Sequence, residues 1–150
     1  MLKIGDKIPD FELQNQDGKP VKSSKLFGKK LVIFFYPKAN TPTCTVEACN
    51  INDNISKLKK AGFQIVGISA DSVKKQKSFH EKFSFKYDLL SDENHEVIEK
   101  FGVWQEKNTF GKTYMGIVRT TFLFNENGIC TGVISDVKSK IASEQILQTI

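Results

Sequence analysis

Long apolar runs are missing from this chain of 150 residues. None approaches the roughly 18 to 20 consecutive apolar residues that a membrane-crossing helix needs. The opening stretch, Met1 to Phe11, also lacks the apolar segment of a secretory signal, so the expected location is the cytoplasm and no membrane partner is expected. Among three cysteines and two histidines there is no Cys-x-x-Cys pair and no regular His spacing, which argues against a metal site built from Cys44, Cys49, Cys130, His80 and His95. An odd number of thiols in a reducing compartment does not make a disulfide scaffold, and leaves catalytic or packed cysteines. Arginine is nearly absent: of 22 Lys and Arg residues only Arg119 is an arginine, which leaves 21 lysines. A lone arginine against so many lysines marks a position where a planar, multi-donor cation is wanted.

What is present is the composition of a globular chain, 39% hydrophobic and 26% charged, with 12 Phe against 3 Tyr. No repeat or Pro/Gly/Ser-rich linker divides it, so one domain over residues 1–150 is expected. The net charge of +5 permits an acidic partner. The lysine clusters at 57–60 and 74–77 fall on amphipathic helical patterns without interleaved aromatics, however, which reads as solvated surface rather than a nucleic-acid face.

Turn and periodicity signals give the element order. Phe11 to Leu13 and Val21, around an Asp17-Gly18 turn, read as an N-terminal β-hairpin. Leu31 to Tyr36, ended by Pro37, is a continuous apolar run and reads as a central strand buried on both faces. A helix is predicted from Pro42 to Ala61, stopped at Gly62, because Thr41-Pro42 is a helix-start signal and Val46, Ile51, Ile55 and Leu58 recur at helical spacing. Strands then follow at 63–69 and 87–90, with helices at 72–83 and 93–101. Residues 105–116 read as a loop or irregular hairpin, strands at 117–124 and 129–134 flank a turn at 125–128, and a closing helix spans 142–149. That order suggests an α/β fold, a mixed central sheet with helices on both faces, of the thioredoxin-like kind.

The stretch from Tyr36 to Cys44 is the one that carries chemistry. A buried strand ends, Pro37 and Pro42 stiffen the loop, and Cys44 falls in the first turn of a helix. Unpaired N–H groups and the positive end of the helix dipole there favour a thiolate, and the thiolate is the nucleophile. Thr41 is placed to donate its hydroxyl to the sulfur or to an oxygen being displaced. Attack on an O–O bond pushes negative charge onto the departing oxygen, which calls for a fixed cation; Arg119, at the head of a predicted strand, is the candidate. Glu47, one turn beyond Cys44, opposes the thiolate unless a cation such as Arg119 balances it. Cys130 lies in a predicted strand and reads as a packed thiol.

The spacing Pro37-x-x-x-Thr41-x-x-Cys44 matches the Pro-x-x-x-Thr-x-x-Cys motif of peroxiredoxins. Phe35 to Lys38 and Thr45 to Cys49 resemble in particular the bacterioferritin comigratory protein subfamily, also called peroxiredoxin Q. The likeness continues through Leu58 to Gly62, Gly67 to Ser69, Leu89 to Asp92, Phe101 to Trp104 and Gly111 to Tyr114. It implies a thioredoxin fold, reduction of hydrogen peroxide and organic hydroperoxides without a cofactor, Cys44 as the peroxidatic cysteine with Pro37, Thr41 and Arg119 around it, and recycling by thioredoxin or a similar dithiol protein. It also implies Cys49 as the resolving cysteine. Five helical residues separate Cys49 from Cys44, a rise of about 7.5 Å and a turn of about 140°. A disulfide needs Cα atoms within about 7 Å, so the helix must unwind for the pair to join. Thr43 stands where the family more often has Gly. If Cys49 is only a packing residue, an external thiol resolves the sulfenic acid instead. A thiol–disulfide oxidoreductase is a further reading, weakened by the absence of Cys-x-x-Cys. Resolution within one chain removes the chemical need for a dimer, so a monomer is expected.

Overall fold

The computed structural model describes residues 1–150. The apolar run after Lys29 becomes strand β3 (Lys30–Phe35), and its alternation sorts the interior into two cores. Val32, Phe34 and Tyr36 point to one face of the sheet, while Leu31, Ile33 and Phe35 point to the other. Both sets are buried, which is why the run reads as continuously hydrophobic rather than alternating.

Seven strands form the sheet: β1 (Glu12–Gln14), β2 (Pro20–Lys22), β3, β4 (Phe63–Ser69), β5 (Asp88–Ser91), β8 (Thr120–Phe124) and β9 (Cys130–Ile134), in the order β2-β1-β5-β4-β3-β8-β9. Strands β3, β4 and β5 run parallel, and β1, β2, β8 and β9 add antiparallel pairs at the two sides. Helices α1 (Pro42–Asp53), α2 (Ile55–Lys60), α3 (Val73–Phe83) and α5 (Ala142–Leu147) supply the core on the Phe34 face. Helix α4 (Glu96–Lys100), with Ile8, Phe11 and Leu26, covers the Phe35 face. The mixed sheet covered on both faces is the arrangement the element order implied. No helix is long and apolar enough to cross a membrane.

Three local expectations are corrected. The single helix expected from Pro42 to Ala61 is two, because Asn54 (φ −109°, ψ 16°) interrupts it. The Asn54 side chain donates to the Asn50 carbonyl at 2.9 Å, a local bond that competes with the helical ladder. Of the loop or irregular hairpin expected over residues 105–116 the hairpin forms, and it is regular: β6 (Trp104–Thr109) against β7 (Lys112–Ile117). Its two-residue turn places Phe110 and Gly111 both at positive φ, the mirror-image turn that suits strand twist. Polar side chains on most of both strands hide that regularity from a reading based on apolar alternation. Consequently the strand expected from Ile117 begins only at Thr120, since Ile117 belongs to β7 and Val118 and Arg119 join the hairpin to the sheet. The remaining elements agree with expectation to within a few residues at their ends.

Candidate active site

The site is built where β3 ends. The loop that follows is held by buried polar groups from neighbouring elements rather than by its own sequence. Asp71 accepts from the Ala39 backbone N–H and from the Ser69 hydroxyl, each at 2.7 Å. Gln76 on α3 donates to Ser69 and to the Leu90 carbonyl, and accepts from the Tyr36 hydroxyl at 2.6 Å. Burial pushes the Tyr36 phenol well above its ordinary range, so it stays a donor. Every member of this network has its partners, which makes it a rigid mount for the Pro37–Thr41 loop.

Thr41 is the N-cap residue of α1 and Pro42 occupies its first turn. The Thr41 hydroxyl donates to the Lys38 carbonyl at 2.8 Å, and no side chain caps the first N–H groups of the helix. In this state Thr41 therefore braces the loop, and its hydroxyl hydrogen is not directed at the sulfur. The uncapped N–H groups of the first turn, which include that of Cys44, are left free for a charge developing there. Pro37 is half-buried and lines a hollow of about 330 Å³ between the loop and the hairpin, together with Lys38, Trp104 and Met115. Trp104 stacks on His95 with centroids 4.1 Å apart. Phe34 shares the core that holds Cys44, whereas Tyr114 is largely exposed.

Cys44 is 2% exposed, and the guanidinium of Arg119 reaches it from 75 residues away. Arg119 Nη2 donates to Cys44 Sγ at 3.3 Å, while Nη1 donates to Glu47 Oε1 at 2.6 Å. One planar cation thus joins sulfur and carboxylate, a geometry an ammonium lacks. Burial works to release the Arg119 proton, but Glu47 and Cys44 outweigh it and hold the guanidinium charged. Glu47 is fully buried and its second oxygen, Oε2, has no partner. Burial pushes its carboxyl up to about 7, against the pull of Arg119. The expected balance of Glu47 by Arg119 is present as this direct bond, and Glu47 in turn fixes the cation beside the sulfur.

Cys49 is not brought to this cluster. It lies on the same unbroken helix as Cys44, half-buried against the core, and all three cysteines are free. Burial, and then Asp53, push its thiol up, so at rest it is a poor nucleophile. Cys130 is buried in β9 beside the Gly132 carbonyl, and burial pushes it up as well. It touches none of these groups in any hydrogen bond.

Residues 4–133 match the AhpC/TSA family. Peroxiredoxin Bcp of Escherichia coli strain K12 is 46% identical over 146 residues, 97% of this chain and 94% of the relative. Among solved structures, peroxidoxin BcpB of Mycobacterium tuberculosis superposes with a TM-score of 0.88 at 38% identity, covering 99% and 96% of the two chains. The bacterioferritin comigratory protein of Xanthomonas campestris, solved as trapped intermediate and ligand complexes that bear on its alkyl peroxide reduction activity, gives 0.86 at 35% identity over 92% and 88%.

Proposed function

This chain belongs to the AhpC/TSA family as a peroxiredoxin of the Bcp type, a thiol peroxidase with a thioredoxin-like fold, and on that premise we propose which of its residues carry the reaction. Cys44 thiolate attacks the terminal oxygen of a hydroperoxide. The O–O bond breaks, an S–O bond forms, and the departing oxygen leaves as water or an alcohol after taking a proton. The observation that carries this reading is the Arg119 bridge between Cys44 and Glu47 at the uncapped start of α1. The cation and the free N–H groups of the first turn stabilise the charge that moves onto oxygen. Pro37 and Thr41 hold the loop that presents the sulfur.

Cys49 then attacks the Cys44 sulfenic sulfur. The S–O bond breaks, hydroxide leaves and is protonated to water, and an S–S bond closes the pair. Thioredoxin or another dithiol protein returns both thiols by exchange through a mixed disulfide. Organic as well as hydrogen peroxides are substrates, the alkyl part resting in the hollow beside Pro37 and Trp104. The enzyme works as a single-domain monomer in the cytoplasm, where thiols are kept reduced, and needs no metal or organic cofactor. The separation of Cys49 from Cys44 on an intact helix favours one rival, resolution by an external thiol. Steady-state assays with a thioredoxin couple separate the two. Cys44→Ser is expected to abolish turnover, and retained activity would refute the role of Cys44. Cys49→Ser is expected to stop thioredoxin-driven cycles, and unchanged turnover would establish the one-cysteine route.

A further inference from the structure

Helix α1 is tied down unevenly along its length. From Ala48 onward, neutral hydrogen bonds fasten it to elements that take no part in the chemistry. Tyr87 donates its hydroxyl to the Ala48 carbonyl at 2.7 Å. Asn52 accepts from the Lys86 backbone N–H at 2.8 Å. Asn50 makes three bonds: it donates to the Lys140 carbonyl at 2.8 Å and accepts from the Ser143 N–H at 2.9 Å and the Ser143 hydroxyl at 2.8 Å. Helix α5 begins after Ile141, which has no side chain able to cap it, so Asn50 provides from another helix the acceptor that the start of α5 lacks.

Before Ala48 the ties are different. The side chains of this half bond to Arg119, through Glu47 and through the reacting sulfur itself, and Thr41 braces only its own loop. Conversion of Cys44 from thiolate to neutral sulfenic acid weakens its attraction to Arg119, so the reaction loosens this half and leaves the other untouched. The boundary between the two halves falls at Ala48 to Asn50, and Cys49 stands on it.

We propose that Asn50 is a positioning residue for the resolving step. It pins the chain immediately after Cys49 to the start of α5, confines unwinding to the turns before it, and keeps Cys49 in place while Cys44 is carried across. The inference rests on the assignment of Cys44 and Cys49 as the reacting pair. A fixed Cys49 leaves one mobile partner rather than two, which reduces the chain entropy lost on closing the ring.

The test is a rapid-quench time course on reduced protein given limiting hydrogen peroxide, with alkylation and peptide mass spectrometry. Three quantities are followed: loss of the Cys44 thiol, appearance of the Cys44–Cys49 disulfide, and accumulation of Cys44 sulfinic acid. In Asn50→Ala the first is expected to match the wild type. The second is expected to slow about tenfold, the worth of one to two net hydrogen bonds, and sulfinic acid to rise because the sulfenic acid waits longer. Asn50→Asp keeps both acceptances from Ser143 but sets an acceptor against the Lys140 carbonyl, and is expected to recover only part of the rate. A loss of stability alone would not separate the two steps in this way. Disulfide formation in Asn50→Ala as fast as or faster than wild type overturns the proposal. Should Asn50→Ala not fold, Ser143→Ala removes one of the three bonds and must slow the disulfide in the same direction, or the proposal fails. Absence of the Cys44–Cys49 disulfide in the wild type itself would instead sink the assignment of the pair.

Discussion

Arg119 donates to the Cys44 sulfur and to the Glu47 carboxyl at once, which the fork of its guanidinium makes possible. Lysine in its place reaches the sulfur or Glu47 but does not hold both in one plane. Arg119→Lys is therefore expected to lower the second-order rate constant for peroxide by about tenfold or more, read from the rate of Cys44 thiol loss. An unchanged constant would remove Arg119 from the reaction. Glu47 has its own signature in pH. Its carboxyl moves from an ordinary value of 4.5 up to about 7 on folding, so the folded chain holds this proton more tightly than the unfolded one. The stability it contributes is full below about pH 4.5 and is lost as pH rises through about 7. Urea unfolding across that window should show wild type losing stability relative to Glu47→Gln as pH rises, and a constant difference would place the proton elsewhere. The pairing of Arg119 with Cys44 was legible in the sequence because a motif, and a lone arginine among lysines, singled the two out, whereas the bond of the Thr41 hydroxyl to the Lys38 carbonyl was not. The Tyr36–Gln76–Ser69–Asp71 mount was not, because it depends on partners brought together by the sheet.

At the scale of elements, α1 is at once the mount for the nucleophile and the barrier to its resolution. Intact, it sets Cys44 and Cys49 about 7.5 Å apart along its axis on different sides, beyond the reach of a disulfide. It also keeps the Cys49 thiol half-buried and raised. Unwinding of the turns before Asn50 removes the first obstacle by bringing Cys44 to Cys49. Formation of the disulfide is therefore expected to lower the far-UV helical signal by about two turns, on the order of 7 residues, and to restore it on reduction. An oxidised protein with the full helical signal would contradict the unwinding. The start of α1 was readable from Thr41-Pro42, while its early end was not, because Asn54 interrupts a pattern whose apolar spacing runs on to Leu58. The regularity of the β6–β7 hairpin escaped for the opposite reason: its strands are largely polar, and its turn relies on Phe110 taking a positive φ that sequence does not advertise.

Across the whole molecule, the two-sided core was visible in the continuous apolar run of β3, but the strand order was not. β3 pairs with β8 through contacts such as Leu31 with Phe124, and no local pattern encodes a partner so distant. The sheet edges bear on assembly. Edge strand β2 has only three residues and carries Pro20 and Lys22, features that discourage edge-to-edge pairing. With resolution inside one chain, sedimentation is expected to give a monomer whether the protein is reduced or oxidised, and a dimer in both states would show that the catalytic unit is larger. The central claim is that Cys44 is oxidised first and Cys49 resolves it within the same chain. Its most direct test is intact and peptide mass spectrometry on reduced protein after one equivalent of hydrogen peroxide, with remaining thiols alkylated. The expected result is a loss of two hydrogens located to a Cys44–Cys49 link in the monomer. A stable sulfenic acid on Cys44 with Cys49 alkylated would contradict the resolving step, and two unmodified thiols would contradict the whole reaction.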